Sequence, residues 1–300
     1  MRTTVLDIET FANLNDLEYL DYRYLKTRGK EELSDEELEK RLALNPYTLS
    51  VISAALAHVQ ENAIERVTVY YLSQEGDEAS EEKGDSFTIQ YFPIVCPSLP
   101  KVPPQGERLL LANLWEELKE AERIVTYNGQ NFDLPVLRIR SMVHGLDLPS
   151  SFALPRLFRF FDNHLDLADF LSGANPEHRY SLEFVCRSFG IPFQKGTLDG
   201  SKVRNAFLEG YYFDIARYNA RDTIATAMLF LRIEKYLSSE GTTSEPPATE
   251  RQIQFLANLF RAHNPEGLAN QAFLWLAQEG VLTKSTVTWL IDRLKGNRFL

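Results

Sequence analysis

Acidic residues inside apolar segments are the feature that most limits how this chain folds. Asp7 and Glu9 lie within the apolar sequence VLDIET near the amino terminus, and Asp222 lies in the largely apolar stretch 212–237. A carboxylate in such a segment is costly to bury unless it is paired, hydrogen-bonded or bound to a metal ion. We therefore expect the fold to supply a partner for each of these acids.

The pattern of apolar residues predicts an α/β protein. Alternating or continuous apolar patterns predict strands at about 3–9, 49–59, 65–72, 86–92 and 123–127. Helical spacing and caps predict helices at about 35–44, 107–121, 134–144, 180–189 and 212–237, with a strand end and a short helix within 162–171. The acidic stretch 75–85 is predicted to be a loop, and Pro93 to begin an irregular connection. This order predicts a mixed sheet flanked by helices.

Composition along the chain predicts a domain, a linker and a small helical module, over residues 1–237, 238–248 and 249–300. The domain carries an acidic insertion at about 14–45. Thr249 and Gln252 form a capping box at the start of the module, and Thr283 is a candidate cap for its last helix.

Overall composition excludes several classes of protein. Hydrophobic residues at 44% and charged residues at 25% exclude a disordered, collagenous or coiled-coil chain. No apolar run approaches the roughly 20 residues of a membrane span. The acidic amino terminus does not resemble a signal peptide. Two cysteines are too few for a disulfide framework, so we expect a reducing, cytoplasmic location.

The net charge of −10 neither supports nor excludes a nucleic-acid partner. Two acidic runs, 31–41 and 75–85, hold 12 of the 42 acids. The rest of the chain carries 30 acids and 29 bases, which is close to neutral. Such runs are usually solvated surface, and the high isoelectric point typical of nucleic-acid-binding domains is absent.

Asp7 and Glu9 form a candidate metal-binding pair. In a strand, residues two apart point to the same face and lie about 6–7 Å apart. Adjacent carboxylates repel each other unless a cation lies between them, and Mg²⁺ or Mn²⁺ prefers such oxygen ligands. Because an acid-x-acid triplet also arises by chance, this pair alone does not establish a metal site.

Asp133 follows a predicted strand and turn, in the sequence YNGQNFDLP that begins at Tyr127. Pro135 suits the first turn of a helix, which places Asp133 at the start of one. A helix amino terminus favours a carboxylate for electrostatic reasons alone, so capping explains this acid as well as catalysis does.

Tyr218 and Asp222 lie four residues apart in the predicted helix 212–237, so they share one face. Ile215 and Ala225 make that face apolar, and a buried acid there needs a partner. The alternatives are a metal ion or a hydrogen bond with a core tyrosine. Arg221 is expected to point elsewhere.

Together the motifs read D-x-E on a first strand, N-x4-D at a strand-to-helix turn and Y-x3-D on a late helix. In this order the chain resembles the DEDD superfamily of 3′→5′ exonucleases, which has the ribonuclease H-like fold. It is most similar to the tyrosine-type branch, in particular the proofreading domain of family-B DNA polymerases and its stand-alone relatives. The histidine-type branch has a His where this chain has Arg217. The resemblance covers about residues 1–237 and includes the segments HLDLADFL and SLEFVCRSFGIPFQKGTLDG.

This resemblance implies a metal-dependent 3′→5′ exonuclease that uses two Mg²⁺ or Mn²⁺ ions and releases nucleoside 5′-monophosphates. It implies that Asp7 bridges both ions and that Asp133 holds the second one. Glu9 and Asp222 are implied to complete the site that activates water. Tyr218 is implied to orient the attacking water.

Residues beside the motifs are candidate substrate contacts. Phe11, Asn128 and Phe132 are candidates to stack on or hydrogen-bond the terminal nucleotide, and Lys195 to contact its phosphates. Core packing explains Phe132 equally well, and a solvated loop explains Lys195. Asp166 is a candidate supporting residue, although a helix cap also accounts for it.

Three functions remain open from the sequence. The favoured one is hydrolysis of single-stranded DNA from its 3′ end. The same site acting on RNA is the second, because nothing in the sequence distinguishes recognition of a 2′-hydroxyl. A non-catalytic relative that only binds nucleic acid or protein is the third, and the presence of all four acids and the tyrosine argues against it.

Overall fold

The computed structural model describes residues 2–29, 32–84, 86–148, 163–173, 175–193, 198–237, 249–263 and 287. The chain divides into two compact units, Met1–Glu234 and Lys235–Leu300. The predicted linker 238–248 and the predicted cap Thr283 lie outside the described residues.

Among the described residues of the first unit, seven strands form one sheet: β1 (Thr3–Phe11), β2 (Ser50–Gln60), β3 (Ala63–Ser73), β4 (Ser80–Lys83), β5 (Thr88–Val95), β6 (Arg123–Thr126) and β7 (His164–Asp166). Their order is β4-β5-β3-β2-β1-β6-β7. β2 pairs antiparallel with both β1 and β3, whereas β6 is parallel to β1 and β7. This mixed sheet has the ribonuclease H-like arrangement, which confirms the predicted fold class.

The described α-helices are α1 (Tyr19–Thr27), α2 (Asp35–Leu42), α3 (Pro104–Leu118), α4 (Asp133–Val143), α5 (Leu167–Ser172), α6 (Leu182–Ser188), α7 (Val203–Leu208), α8 (Tyr212–Leu237) and α9 (Glu250–His263). The predicted capping box of Thr249 with Gln252 is confirmed at the start of α9. Ser34 and Glu37 form another capping box at the start of α2. Among the described helices, none is long and apolar enough to cross a membrane.

Helices cover both faces of the sheet, because its central strands are apolar on both sides. Tyr71 of β3 packs its ring against Phe213 of α8, with centroids 6.0 Å apart. On the opposite face, the hydroxyl of Tyr70 donates to Glu117 of α3. Successive strand residues point to opposite faces, so α8 and α3 lie on different sides of the sheet.

A change of register marks the centre of the sheet. Glu9 pairs with Ser53, but Thr10 pairs with Val51, so Ile52 is an extra residue in β2. Such a β-bulge bends a strand and re-aims neighbouring side chains. The bulge lies directly beside the second acid of β1.

The prediction that 75–85 is only a loop was wrong, because Ser80–Lys83 forms the edge strand β4. Charged residues are common on edge strands, where they discourage pairing with other chains. Pro93 also lies inside β5 and does not open an irregular connection. β4 pairs only as far as Tyr91, so at Pro93 one side of β5 is an open edge, which tolerates proline.

Candidate active site

The first two acids lie at the centre of the sheet on β1. Asp7 and Glu9 are both half-buried, whereas the apolar residues between and before them, such as Leu6 and Ile8, are fully buried. Their two-residue spacing directs both carboxylates to the face covered by α8. Ser53, opposite Glu9 in the antiparallel pair, points to the same face.

A hydrogen bond brings the third acid to β1. Asp133 is the first residue of α4 and is only 4% exposed. Its Oδ1 accepts a hydrogen bond of 3.1 Å from the backbone N–H of Ile8. Because Ile8 lies between Asp7 and Glu9, this bond fixes the start of α4 beside the first two acids. The carboxylate thus does more than complement the helix dipole.

Asp166 holds the turn that precedes Asp133. Its two carboxylate oxygens accept hydrogen bonds of 2.9 Å from the N–H groups of Asn128 and Gln130, and Oδ1 also caps α5. Asn128 has a φ of +64°, and a side chain at Gly129 would come within 2.4 Å of Thr126 Oγ1. Asp166 therefore stabilises a turn that requires glycine at position 129.

The long helix α8 carries the fourth acid and the tyrosine. Tyr218 and Asp222 lie one turn apart, and the tyrosine hydroxyl donates a hydrogen bond to the carboxylate. The hydrogen bond with a tyrosine, one of the two alternatives for Asp222, is therefore present. It does not exclude the other alternative, a metal ion, because a carboxylate has a second oxygen. Buried Ile215 and Ala216 anchor this part of α8 to the sheet.

Arg221 belongs to the site, so the prediction that it points elsewhere was wrong. Its guanidinium lies 4.9 Å from the centre of the Tyr218 ring, and its Nε is 3.4 Å from Asp222 Oδ1. It also lies 5.7 Å from the ring of Phe193. The cation therefore neutralises part of the negative charge and stacks on the proposed water-orienting residue.

Asn219, which the sequence did not single out, contacts the first acid. It is fully buried on α8. Its Nδ2 donates a hydrogen bond of 2.6 Å to Asp7 Oδ2, and its Oδ1 accepts one of 2.8 Å from Ser53. Asn219 thus connects α8 to both central strands.

A cleft of about 440 Å³ opens at these residues. Its walls are formed by Asp7, Tyr127, Ser181, Leu182, Glu183, Phe193, Leu198, Asp199, Tyr218, Arg221 and Asp222. The aromatic rings of Tyr127, Phe193 and Tyr218 suit a flat group such as a nucleobase. The carboxylates of Asp7 and Asp222 suit cations bound to a phosphate.

The acids of β1 are coupled electrostatically to the others. Burial raises the pKa of Asp7 well above its usual value, and the charges of Asp133, Glu9 and Asp222 raise it further. Burial also raises the pKa of Glu9, again with contributions from Asp222 and Asp133, whereas the charge of Arg221 lowers it. The four carboxylates therefore share one negative region.

The remaining titratable groups of the site follow the same pattern. Burial raises the pKa of Asp133 to about 7, although hydrogen bonds from its own N–H and that of Ile8 oppose the shift. Burial raises the pKa of Asp222, against the hydrogen bond from Tyr218. Burial and the nearby carboxylates raise the pKa of Tyr218, so this phenol stays protonated at neutral pH.

The donor chemistry fits a hard divalent cation, because carboxylate oxygens are the ligands that these acids offer. In the present side-chain conformations, no three His, Cys, Asp or Glu side chains of the described residues converge closely enough to hold one ion. Asp7, Asp133 and Asp222 are instead held by the protein donors named above. For three carboxylates to meet at one ion, some of these side chains would have to change conformation.

The candidate substrate contacts are placed differently from one another. Phe11 is buried against Phe207, with ring centroids 4.5 Å apart, and does not line the cleft. Asn128 is exposed, and its Oδ1 accepts a hydrogen bond of 3.3 Å from Arg179. Phe132 is half-buried at the start of α4. Lys195 lies outside the described residues.

A family model matches most of the chain. The family described as "predicted 3'-5' exonuclease related to the exonuclease domain of PolB" matches residues 56–273. The matched range includes Asp133, Tyr218 and Asp222, and it begins after the two acids of β1.

A shorter segment is similar to a protein named "DNA polymerase" from Methanocaldococcus jannaschii. The two are 43% identical over 44 residues, which is 15% of this chain and 3% of the polymerase. The similarity therefore concerns a small part of that much longer protein.

Proposed function

Because the chain belongs to the family of predicted 3′–5′ exonucleases related to the exonuclease domain of PolB, we propose that it shortens single-stranded DNA from the 3′ end. The predicted class of enzyme is confirmed, since such an exonuclease is a hydrolase acting on nucleic acids. Our finer proposal is that two divalent cations, Mg²⁺ or Mn²⁺, take part and that nucleoside 5′-monophosphates are released.

One observation carries the catalytic part of this proposal. Asp133 of α4 and Asp222 of α8 are distant from β1 in sequence, yet their charges raise the pKa of both Asp7 and Glu9 in one region. Gathering carboxylates in this way destabilises a fold unless bound cations offset their mutual repulsion. Perturbed acids in a cleft are typical of catalytic sites.

The proposed roles follow the positions of the acids. Asp7 would hold both cations, an assignment supported by the charges of Asp133, Glu9 and Asp222, which all raise its pKa. Glu9 and Asp222 would hold the cation beside the attacking water, and Asp133 the other one. Two cations, when bound, supply charge neutralisation at the phosphate and a more acidic water.

The protein's own groups orient the reaction. The hydroxyl of Tyr218, protonated at neutral pH, is proposed to hydrogen-bond the attacking water and aim it at the phosphorus. The new bond joins the water oxygen to phosphorus, and the bond to the 3′-oxygen of the preceding nucleotide breaks. That oxygen takes up a proton, which leaves a new 3′-hydroxyl on the strand. The released nucleotide keeps its 5′-phosphate.

Two observations favour single-stranded DNA over other substrates. The similar segment in the comparison belongs to a protein named a DNA polymerase. The cleft of about 440 Å³ has the size of a small-molecule pocket, which suits one frayed nucleotide better than a stacked base pair.

The experiment is digestion of 5′-labelled single-stranded DNA and of RNA of the same sequence, with MgCl₂, MnCl₂ or EDTA. We expect DNA products that shorten one nucleotide at a time from the 3′ end, and no products in EDTA. Asp7→Ala should reduce the rate by about 10³-fold or more, since it removes a group worth several kcal/mol of charge stabilisation. Circular dichroism checks that the variant is folded.

The control is Asp214→Asn, which alters an exposed acid on α8, two turns before Asp222. It should leave the rate unchanged. Faster digestion of RNA than of DNA would mean that the enzyme is an exoribonuclease. Absence of any product with either metal, or a normal rate for Asp7→Ala, would contradict the catalytic assignment and favour a binding role.

A further inference from the structure

Asn219 has a completely buried amide and lies between Tyr218 and Asp222 on α8. Its Nδ2 donates to Asp7 Oδ2 at 2.6 Å, and its Oδ1 accepts from Ser53 Oγ at 2.8 Å. The hydrogen bonds therefore run in one direction, from the hydroxyl on β2 through the amide on α8 to the carboxylate on β1.

The orientation of this amide is fixed by its two partners. A carboxylate only accepts hydrogen bonds, so the NH₂ group of Asn219 must face Asp7. Its oxygen then faces Ser53, whose hydroxyl is able to donate. A rotation of the amide by 180° would lose the bond to the carboxylate and place two acceptors against each other. Asp7 thus determines the orientation of the amide, and the Ser53 hydroxyl satisfies the amide oxygen on the other side.

The strands beneath the helix are shaped for this contact. Ala55 lies opposite Asp7 in the sheet and is fully buried, so β2 presents only a methyl group at this position on the face that carries Asp7. Ser53 lies opposite Glu9, beside the β-bulge. Small side chains on this face let the helix approach closely enough for a side chain as short as asparagine to reach β1.

We propose that Asn219 and Ser53 form a positioning pair that holds the Asp7 carboxylate in the orientation required to bind a divalent cation, a role that rests on the proposed nuclease function. Neither residue touches the substrate. The pair acts through Asp7 alone, because a carboxylate with one oxygen anchored by a buried amide has lost its freedom to rotate. Outer hydrogen-bond partners of metal ligands typically contribute about 10–100-fold to metal affinity or activity.

The test compares Asn219→Ala and Ser53→Ala with the unaltered chain. The first readout is the shift in melting temperature as MnCl₂ is added, which needs no activity. The second is the rate and KM for single-stranded DNA at saturating Mn²⁺. We expect Asn219→Ala to raise the Mn²⁺ midpoint and lower kcat by about 10–100-fold each, with little change in KM. Ser53→Ala should act in the same direction but more weakly, by about 2–10-fold.

Ser141→Ala is a matched control for loss of a buried serine. Ser141 is also fully buried and accepts a hydrogen bond of 2.8 Å, from Trp115 Nε1, away from the acids. The Ser141→Ala variant should lower the melting temperature in EDTA as much as Ser53→Ala does, and it should leave the Mn²⁺ midpoint unchanged. The comparison separates a positioning role from general loss of stability.

Three results overturn the inference. If Asn219→Ala keeps the Mn²⁺ midpoint and kcat of the unaltered chain, the pair does not position Asp7. If Ser141→Ala shifts the midpoint as much as Ser53→Ala does, the effect is one of stability only. If Mn²⁺ does not raise the melting temperature of the unaltered chain, the metal site is absent, and the proposed function fails together with the inference.

Discussion

Arg221 is the one positive side chain among the described residues that line the cleft, which also has the acids Asp7, Glu183, Asp199 and Asp222. Arg187 pairs with Glu183 and Lys202 with Asp199, so the charges left to compensate are mainly those of Asp7 and Asp222. Such carboxylates repel a nucleic-acid backbone unless cations compensate for them. Arg221 lies against the ring of Tyr218 and supplies part of that compensation from the protein itself.

We expect Arg221→Gln to raise the KM for single-stranded DNA by about 10-fold or more, because a charge-assisted contact to phosphate contributes about 1.5–3 kcal/mol. The slope of log KM against log salt should fall by about one charge. Arg221→Lys should recover the salt slope but not the full rate, since an ammonium group does not stack on Tyr218 as a guanidinium does.

Arg217→Gln is the control for Arg221, since it removes a cation one turn earlier on the same helix. Arg217 is exposed and pairs with Glu82 at 3.1 Å, outside the cleft. Its loss should change neither KM nor the salt slope. Equal effects of the two substitutions would show that only the overall charge of α8 matters.

At the scale of elements, a buried network joins α3, α4 and β2. Glu107 on α3 is 1% exposed, and its carboxylate accepts hydrogen bonds from Arg140 at 2.7 and 2.8 Å and from Val51 N–H at 2.9 Å. His144 lies 2.8 Å away from the same carboxylate. Because Val51 lies at the β-bulge, the network braces the strand beside Glu9.

Glu107→Gln should destabilise the chain by about 3–5 kcal/mol at neutral pH, because Arg140 would remain buried without a counter-charge. Burial acts to raise the pKa of Glu107, but the hydrogen bonds from Arg140 and His144 hold it below its usual value. The stabilisation is therefore complete above the unfolded pKa and is lost as pH falls through the folded pKa. Urea unfolding at neutral pH measures the difference.

Glu116→Gln is the matched control on the same helix. Glu116 is 72% exposed and pairs with Lys119 at the surface. Such a pair contributes about 0–1 kcal/mol, so this variant should unfold close to the unaltered chain. A loss below about 1 kcal/mol for Glu107→Gln would mean that the buried pair does not hold these elements together.

Elements with a strong period were predictable from sequence, and elements set by their neighbours were not. The bounds of α8 follow from an uninterrupted helical pattern, and observation gives the same range, Tyr212–Leu237. The sequence SEEK of β4 has no strand propensity and is a strand only because β5 offers an open edge. Pro93 is accepted in β5 for the same reason.

In the whole molecule, the acidic motifs were predictable because two-residue spacing in strands and four-residue spacing in helices fix shared faces. Arg221 was not, because helical side chains lean towards the preceding turn, which carries it over Tyr218. Asn219 could have been identified from the sequence. It lies four residues from both Ile215 and Thr223 on one buried helix face, where an amide needs hydrogen-bond partners. That those partners are Ser53 and Asp7 depends on tertiary structure.

The stability of the whole chain should depend on pH through these acids. The pKa of Asp133 is raised by burial from 3.8 to about 7. Between these values the folded chain keeps a proton that the unfolded chain has released, so the free energy of unfolding falls as pH rises. The pKa values of Asp7 and Glu9 are shifted in the same direction, mainly by burial and then by neighbouring acids.

Urea unfolding in EDTA, from about pH 5 to about pH 8, measures this dependence, and the range avoids the titration of acids with lowered pKa values. We expect stability to decrease across the range in the unaltered chain and to decrease less in Asp133→Asn, which has one titrating group fewer. Excess Mn²⁺ should reverse the trend, because a bound cation favours the ionised carboxylates. Stability that rises with pH in EDTA, or an identical slope in Asp133→Asn, would show that these acids ionise independently and do not form one site.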